Sequence, residues 1–297
     1  MMFKQLGVIG CGLMGGSFAL AMKKARLVKK VVGYSKSPST TEKAKKLGVI
    51  DLIAESALLA VAGSDIVLLA VPVAATENTL RAIRHMVKPD VLFMDVGSTK
   101  GDVVQAVQNA LGAAGSSFVP AHPIAGKESG GVEHADATLY QGRHVILTPT
   151  ALTASAHVQR ATDVWSGLGA QVFKMSPDNH DQAFAAVSHL PHLLAYAYFQ
   201  SVAAQSDGRD YLNLAGPGFR DFTRIAASEP AVWRDILIAN SERVLAQSAL
   251  FRQALDHMEA MIRAGDTLGL EASIRKISES RAQWQMGMPR APGTPPK

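Results

Sequence analysis

The sequence contains little cysteine and few aromatic residues. Cys11 is the only cysteine among 297 residues, which excludes an intramolecular disulfide and a zinc site built from thiolates and fits a cytoplasmic protein. Aromatic residues make up 6% of the chain, and no run of arginine or lysine alternates with phenylalanine or tyrosine. Nucleic-acid binding is therefore not expected.

The sequence also lacks a long uninterrupted apolar segment. Leu6 to Met22 carries no charge, but the glycines between Gly10 and Gly16 would break a hydrophobic helix, so this stretch is interpreted as strand, loop and helix. No other uncharged run approaches the ~20 residues that span a bilayer. We expect a soluble chain with no membrane partner, and 297 residues with 47% hydrophobic content suffice for two domains.

Positive charge is present but unevenly distributed. The net charge is +5, and nine of the fifteen lysines lie between Lys4 and Lys46. Such a local field suits an anionic small molecule near the N-terminus better than an extended polymer.

Short apolar runs alternate with helical patterns through the first 175 residues. Uninterrupted apolar strands separated by helices are typical of a parallel sheet covered on both faces, so a doubly wound, Rossmann-type α/β domain is predicted over residues 1–175. Strands are expected at Leu6–Gly10, Val31–Tyr34, Ile66–Val71, Val91–Val96, Phe118–Pro120, His144–Thr148 and Gln171–Met175. Helices are expected at Gly16–Ala25, Thr40–Leu47, Ala74–His85 and Asp102–Leu111.

After Met175 the pattern becomes helical. Ser176-Pro177-Asp178 is typical of a helix start with proline in the first turn. Long helices are predicted at Asp178–Gln205, Pro230–Ala264 and Asp266–Gln285, with a loop at Gly216-Pro217-Gly218. We expect an all-helical C-terminal domain over residues 176–286 and a disordered tail over residues 287–297.

A glycine-rich loop follows the first predicted strand, with the sequence Gly10-Cys-Gly12-Leu13-Met14-Gly15. Small residues there let a pyrophosphate approach the backbone at a helix N-terminus. Strand, loop, helix and second strand occur in this order within the first 35 residues, which favours a dinucleotide site over a purely structural glycine turn. Val71-Pro72, at the end of a later strand, is expected to border the same site.

The second predicted strand ends without an acidic residue. An aspartate or glutamate there would bind the adenosine ribose of NAD and repel a 2′-phosphate. Ser35, Lys36 and Ser37 instead offer hydroxyls and a cation, so NADP is predicted to be preferred and NAD remains an alternative with Lys36 solvated. Four further lysines are expected to strengthen the positive field nearby, namely Lys23, Lys24, Lys29 and Lys30.

Two polar loops follow later strands, one from Asp95 to Gly101 and one from Val119 to Gly131. Because the carboxyl ends of neighbouring parallel strands share one crevice, we expect these loops to meet. A lone histidine is more often structural or solvated. His122, however, stands between a strand and a glycine-rich loop, which makes it a candidate for chemistry.

Six segments, in this order, resemble the prephenate and arogenate dehydrogenases of tyrosine biosynthesis, and they cover nearly the whole chain up to about Trp284. The segments are the Gly10 loop, Ser98-Thr99-Lys100, His122-Pro-Ile-Ala-Gly126, Ser188-His189-Leu-Pro-His192, Gly218-Phe-Arg220-Asp-Phe-Thr-Arg224 and Trp233-Arg234-Asp235. The two histidine-containing segments together are highly specific.

The resemblance implies an oxidative decarboxylation of a cyclohexadienol. Hydride passes to the nicotinamide, the hydroxyl proton is taken up, and the ring carboxylate leaves as carbon dioxide while the ring becomes aromatic. It implies His122 as the base, a role that suits the near-neutral pKa of histidine. It also implies that Ser98 orients the His122 ring by a hydrogen bond and that Lys100 adds positive charge nearby.

A dianionic substrate needs cations, and the planar arginine fork matches a carboxylate. By resemblance Arg224 is the first candidate for a substrate carboxylate and Arg220 the second. The other residues implied around the substrate are His180, His189, His192 and Glu128. The sequence leaves prephenate and arogenate open, with His189 and His192 leaning toward prephenate.

No metal is expected, because Pro191 separates His189 from His192 and aromatisation supplies the driving force without a Lewis acid. The helices beyond Pro230 are too apolar for a small lobe standing alone, so a homodimer joined through the C-terminal domains is expected.

Two alternatives share the predicted architecture. A β-hydroxyacid dehydrogenase would use a lysine in the helical half, but Met175 to Arg275 contains none. A dinucleotide-binding redox sensor without turnover would lack a base, and His122 argues against it.

Overall fold

A parallel sheet forms the centre of the first compact unit, which ends at Val244. The computed structural model describes residues 3–127 and 129–285. The strands are β1 (Phe3–Ile9), β2 (Val28–Tyr34), β3 (Leu52–Ile53), β4 (Ile66–Leu69), β5 (Leu92–Asp95) and β6 (Phe118–Val119). Their order is β3-β2-β1-β4-β5-β6 with all neighbours parallel. The doubly wound fold predicted from the sequence is confirmed.

Helices cover both faces of this sheet. They are α1 (Leu13–Lys24), α2 (Pro38–Lys46), α3 (Ala57–Val61), α4 (Thr76–Ile83) and α5 (Gly101–Leu111). Successive residues of β4 alternate between two apolar clusters, with Ile66 and Leu68 in one and Val67 and Leu69 in the other. A strand buried on both faces explains the continuous apolar runs in the sequence.

A second, three-stranded sheet follows, where the sequence predicted a continuation of the first. It contains β7 (Ala121–Pro123), β8 (His144–Leu147) and β9 (Gln171–Lys174), with α6 (Ser155–Gly167) before β9. β7 is antiparallel to β8, and β8 is parallel to β9. Pro120 ends β6, since proline has no N–H for the ladder, and the chain enters β7 directly. The prediction that these strands extend the parallel sheet is therefore wrong.

From Pro177 onward the described chain contains helices alone. They are α7 (Pro177–Phe184), a π-helical turn (Ala185–His189), α8 (Leu190–Ala203), α9 (Gly208–Asn213), α10 (Pro217–Thr223), α11 (Pro230–Ala239), α12 (Ser241–Ala264) and α13 (Thr267–Gln283). The predicted all-helical half is confirmed. Two details of the prediction were wrong. Pro217 begins a helix where a loop was predicted, and Asn240 interrupts the predicted helix Pro230–Ala264.

The second compact unit begins at Leu245 and contains most of α12 together with α13. Helices α7 to α11 belong to the first unit with the two sheets, so the predicted domain boundary at residue 175 stays a prediction. The predicted tail lies outside the described residues. None of the helices in the described ranges is both long enough and apolar enough to cross a bilayer.

Candidate active site

The loop between β1 and α1 has the geometry of a pyrophosphate cradle. Gly10 has φ +97°, and a Cβ atom at Gly10 would lie 2.2 Å from the Ala70 carbonyl oxygen. A Cβ at Gly15 would lie 2.0 Å from the Gly10 oxygen, whereas one at Gly12 would meet nothing within 4 Å. Gly10 and Gly15 therefore permit the tight turn, and Gly12 leaves the backbone open.

The N-terminus of α1 adds donors at this opening. Gly12 caps the helix without a side-chain hydrogen bond, so N–H groups of the first turn, among them those of Leu13 and Met14, have no acceptor within the helix. Together with the helix dipole they favour an anion. The loop thus fits the pyrophosphate of a dinucleotide.

A cleft of about 230 Å³ adjoins this loop. It is lined by four residues that the sequence had placed in the site, namely Met14, Val71, Pro72 and Ser98. Helix α11 contributes Val232, Asp235 and Ile236 to the same cleft. The helical half therefore forms one wall of the pocket beside the dinucleotide loop. The sequence had placed other residues of this half at the site, but not these three.

The end of β2 is connected to the loop through Ser35. Its Oγ accepts a hydrogen bond from the Cys11 N–H at 2.8 Å, and Lys36 and Ser37 are exposed. Burial raises the pKa of the Cys11 thiol to about 11, so this cysteine is a neutral packing residue.

The other predicted lysines do not strengthen the field at this end of β2. Lys29 and Lys30 lie at the amino end of the strand, and Lys30 is about 16 Å from Ser35 at strand spacing. Lys23 lies in the last turn of α1 and pairs with Asp51 at 2.6 Å. That part of the sequence-based argument is wrong, because strand and helix directions carry these lysines away from the cofactor edge.

A buried ion pair supports the strand that carries His122. Lys100 is fully buried and its Nζ pairs with Asp95. The Lys100 Nζ also donates to the Ala121 oxygen at 3.0 Å, and the Ala121 N–H donates to Asp95 Oδ1 at 2.9 Å. The pair thus holds both backbone groups of the residue before His122. Lys100 adds positive charge near His122 and is covered by protein, and its catalytic role stays a prediction.

His122 is hydrogen-bonded to a second histidine. Its Nδ1 lies 2.8 Å from His180 Nε2, and His180 Nδ1 lies 2.8 Å from Asp181 Oδ1. His180 is fully buried and contacts His122, and its predicted position around the substrate side chain stays a prediction. Ser98 was expected to orient the His122 ring. In the described chain the hydrogen bond to the His122 ring comes from His180, which contacts Nδ1, and not from Ser98.

Asp181 is held by the start of α5. Its Oδ1 accepts from the Lys100 N–H and its Oδ2 from the Gly101 N–H, both at 2.8 Å. Burial raises the pKa of Asp181, but hydrogen bonds from His180 and from these two backbone groups outweigh it and lower the pKa below its usual value. Asp181 is therefore a carboxylate anchored on a helix N-terminus.

The histidines of the site are electrically neutral near neutral pH. Burial lowers the pKa of His122 well below its usual value of 6.5, and the charges of His180, Lys100 and His189 lower it further. Burial also lowers the pKa of His180 despite its bond to Asp181. A neutral His122 is able to accept a proton at the pH of a cell.

A second pair of histidines lies at the start of α8. Asn240 Nδ2 donates to the Asp181 backbone oxygen at 2.8 Å and to His189 Nδ1 at 3.1 Å. This leaves the proton of neutral His189 on Nε2, a buried atom that has no hydrogen-bond partner in the described chain. Burial lowers the pKa of His189 to about 4, so it is a neutral donor.

His192 stacks on Trp233 with ring centroids 3.4 Å apart and an 18° angle between planes. Its Nδ1 donates to the Ser188 oxygen at 2.9 Å. Burial lowers the pKa of His192, and the positive charge of Arg224 lowers it further. Arg224 begins a short helical turn that packs against α8, whereas Arg220 is exposed and pairs with Asp221 at 3.2 Å. The predicted residue Glu128 lies outside the described residues.

Three functional candidates were missed from the sequence, namely Asp95, Asp181 and Asn240. Asp95 had a usable signal, since it ends a strand five residues before the buried Lys100. Asp181 is adjacent to its partner His180, but the backbone group that anchors it lies 81 residues away, at Lys100. Asn240 contacts His189, 51 residues away, so neither residue could be placed in the site from its local sequence.

A dinucleotide loop, an adjoining cleft and a buried neutral histidine define a dinucleotide-dependent oxidoreductase. Comparison with known proteins identifies the family. A family model described as the prephenate dehydrogenase nucleotide-binding domain matches residues 18–174, and one described as the prephenate dehydrogenase dimerization domain matches residues 176–276.

Individual relatives support the same family assignment. Cyclohexadienyl dehydrogenase of Zymomonas mobilis is 36% identical, over 82% of this chain and 83% of its own. Prephenate dehydrogenase of Bacillus subtilis is 35% identical, over 88% of this chain and 71% of its own. A crystal structure of the Aquifex aeolicus prephenate dehydrogenase with hydroxyphenyl propionate and NAD+ has a TM-score of 0.90 at 35% identity and covers 95% of this chain and 99% of that one. The chain belongs to the prephenate dehydrogenase family.

The family resemblance seen in the sequence is thereby confirmed, and so is its consequence that the chain is an NAD(P)-dependent prephenate or arogenate dehydrogenase of tyrosine biosynthesis. The β-hydroxyacid and redox-sensor alternatives find no support in these matches. Within residues 3–127 and 129–285 no group of three histidine, cysteine or acidic side chains could hold a metal ion.

Proposed function

We propose that the chain oxidises prephenate and that His122 takes the proton of the ring hydroxyl. The observation that carries this role is a buried imidazole, neutral near neutral pH, in the middle of β7, the short strand that follows the main sheet. The hydroxyl O–H bond breaks toward His122 Nε2, and the carbinol C–H bond leaves as hydride. A bound nicotinamide supplies the hydride acceptor. The bond to the ring carboxylate then breaks, and carbon dioxide departs as the electron pair completes the aromatic ring. The resulting phenolate oxygen takes back the proton from His122 Nε2 to give the phenol.

The phenol that this reaction forms has a counterpart in a relative, since the Aquifex aeolicus protein was crystallised with hydroxyphenyl propionate and NAD+. A phenol and a dinucleotide held together in one relative support the same reaction for this chain.

The choice of prephenate over arogenate rests on His189. Its buried Nε2–H is a donor, which suits the keto oxygen or carboxylate of the prephenate side chain. Arogenate carries an ammonium group in place of the keto oxygen. An ammonium only donates hydrogen bonds, so the buried Nε2–H of His189 would be left without an acceptor, which costs free energy.

Initial rates with both substrates test this choice. We expect kcat/KM for prephenate to exceed that for arogenate by about ten-fold or more, the ratio that corresponds to one lost hydrogen bond. The substitution His189→Phe removes the donor and should narrow that ratio. Equal rates in the unmodified protein would contradict the role of His189, and absence of turnover with both substrates would contradict the proposed reaction.

We assign a substrate carboxylate to Arg224, because it begins a turn that packs against α8, the helix that carries His192. Arg224→Ala should raise KM for prephenate by about ten-fold or more, and Arg224→Lys should restore it only in part because lysine lacks the planar fork. Arg220→Ala is the matched control and should leave KM nearly unchanged. A larger effect at Arg220 would reverse the assignment, and steady-state kinetics decide it.

We further propose that NADP is preferred to NAD. Ser35 offers a hydroxyl in place of a carboxylate at the end of β2 and accepts from the Cys11 N–H, and the exposed Lys36 adds a cation beside it. NAD+ was bound in the Aquifex aeolicus relative, so the preference depends on this chain's own residues at the end of β2.

Catalytic efficiency with the two cofactors measures this preference. We expect kcat/KM to be about ten-fold higher with NADP, because a 2′-phosphate gains a charge-assisted hydrogen bond. Ser35→Asp should reverse the order by repelling that phosphate. Ser155→Asp adds the same charge at the start of α6 and should leave the order unchanged. Higher efficiency of the unmodified protein with NAD would rule the preference out.

We also propose a homodimer joined through the C-terminal helices. Residues 176–276 match a dimerization domain, and large apolar side chains are exposed on α12 and α13, among them Leu255, Ile262 and Ile277. Burying such side chains against a second copy removes apolar surface from water. Sedimentation should give a dimer at micromolar concentration, and a monomer there would contradict it.

A further inference from the structure

Three side chains of the site are joined end to end by hydrogen bonds, from Asp181 through His180 to His122. We infer that Asp181 and His180 are positioning residues, which hold His122 in the tautomer that carries its proton on Nδ1 and leaves Nε2 to accept the hydroxyl proton. This inference rests on the proposed role of His122 as the base.

The direction of each hydrogen bond follows from Asp181. As a carboxylate it can only accept, so the proton between it and His180 belongs to His180 Nδ1. A neutral imidazole carries one proton, and His180 Nε2 is therefore a lone pair. The 2.8 Å contact between that atom and His122 Nδ1 then requires a proton on His122 Nδ1. The tautomer of His122 is thus set by a carboxylate two hydrogen bonds away.

The surroundings keep this chain of bonds rigid. Asp181 accepts two backbone N–H groups at the start of α5, so it cannot rotate without breaking three hydrogen bonds. Phe184 lies against both rings, with its centroid 4.4 Å from that of His180 and 4.8 Å from that of His122. The imidazole rings of His122 and His180 and the carboxylate of Asp181 are therefore fixed in a single arrangement.

The same arrangement stabilises the charge that forms during the reaction. When His122 Nε2 takes the hydroxyl proton, the ring becomes a cation and its Nδ1–H bond to His180 becomes charge-assisted. The other groups that face His122 are Lys100 and His189, of which Lys100 is already paired with Asp95. Asp181 is the carboxylate that is connected to the His122 ring through hydrogen bonds, and it offsets the new positive charge.

Histidine tautomers can be observed directly in the full-length protein. With nitrogen-15-labelled histidine at neutral pH, the magnetic resonance spectrum should show His122 protonated on Nδ1 and bare on Nε2. His180→Phe keeps a ring against Phe184 but removes the acceptor, so the His122 tautomer should lose this bias. A parent spectrum with the proton on Nε2 would overturn the inference even if every variant failed to fold.

Kinetics give an independent reading. His180→Phe and Asp181→Asn should each lower kcat by about 10²-fold, as expected when the orientation of a base is lost, with KM for prephenate changed by less than about three-fold because neither residue touches substrate. The pair His122→Ala with His180→Phe should be no slower than His122→Ala alone, since residues that act as a unit are not additive.

A matched control separates this effect from the loss of a buried histidine in general. His157 is also buried and bonded through Nε2 to a backbone oxygen, that of Pro89 at 2.7 Å, and His157→Gln should leave kcat unchanged. Normal kcat in both His180→Phe and Asp181→Asn, with His122→Ala inactive, would overturn the positioning role alone. Normal kcat in His122→Ala would overturn the proposed function with it.

Discussion

Replacement of His122 by asparagine should lower kcat by about 10²- to 10⁴-fold, the usual contribution of a general base. Asparagine keeps a polar side chain in the middle of β7 but cannot take a proton from the substrate hydroxyl. Dinucleotide affinity should stay nearly constant, because the loop around Gly12 and the cleft beside Ser98 are untouched. Steady-state kinetics and a separate titration of cofactor binding measure the two effects, and a rate near that of the unmodified protein would remove His122 from the mechanism.

The pH profile provides a second test of the same residue. The base must be unprotonated, so kcat/KM should fall as pH decreases through the pKa of His122 in the folded protein. Burial and nearby positive charge hold that pKa well below 6.5. We therefore expect kcat/KM to stay level through pH 6.5, where an exposed histidine would already be half protonated. An acid limb centred at or above that value would contradict a buried, neutral base.

Neutralising Asp95 should destabilise the folded protein by about 3 to 5 kcal/mol, the usual effect of leaving one partner of a buried ion pair alone. Asp95→Asn preserves shape but leaves the Lys100 ammonium, which is fully buried, without an anion. It also weakens the acceptor that holds the Ala121 N–H. The shift in urea midpoint, with the slope of the transition checked for constancy, measures the loss.

Two variants serve as controls for that result. Glu77→Gln breaks the exposed pair between Glu77 and Arg81 and should shift the midpoint far less, since surface pairs contribute little. Lys100→Met combined with Asp95→Asn removes both charges and should be less destabilised than the sum of the single changes. If Asp95→Asn and Glu77→Gln behaved alike, the buried pair would not be the support of β7 that the geometry indicates.

The main sheet could be predicted because its signal is local. Ile66–Leu69 is buried at all four positions and therefore reads as a continuous apolar run, and the loop after β1 shows its glycines in sequence. The strand β3 was missed because it contains only Leu52 and Ile53, too few residues to show a period.

The separate sheet of β7 to β9 could not be predicted, because an apolar run does not reveal its partner. His144–Leu147 has the same apolar character whether it joins β6 or pairs with β7. The choice is made by Pro120 and by the antiparallel register that sets His122 opposite Ile146. Such pairing is a tertiary property.

The candidate site, like the fold, has one part that could be predicted from the sequence and one part that could not. His122, Ser98 and the glycine loop stand in recognisable motifs, so their proximity could be predicted from strand ends. The contacts of His180 could not, since Asp181 is anchored by Lys100, 81 residues away. The regular helix predicted over Asp178–Gln205 would also have placed His180 and His189 on opposite faces, because nine residues are about two and a half α-helical turns.

The π-helical turn at Ala185–His189 resolves that conflict, because it takes up one residue more than a regular α-helical turn. A π turn holds one residue more than an α turn, and here the surplus residue allows His180 and His189 both to be buried. Val187 within it is 71% exposed, so substitutions there should be tolerated. Deleting that residue would return the turn to α geometry and leave α8 in nearly its present orientation relative to α7, because the π turn already takes up the rotation of one residue. An inserted residue would have no such turn to take it up, and it would rotate everything from Leu190 onward by about 100° relative to α7.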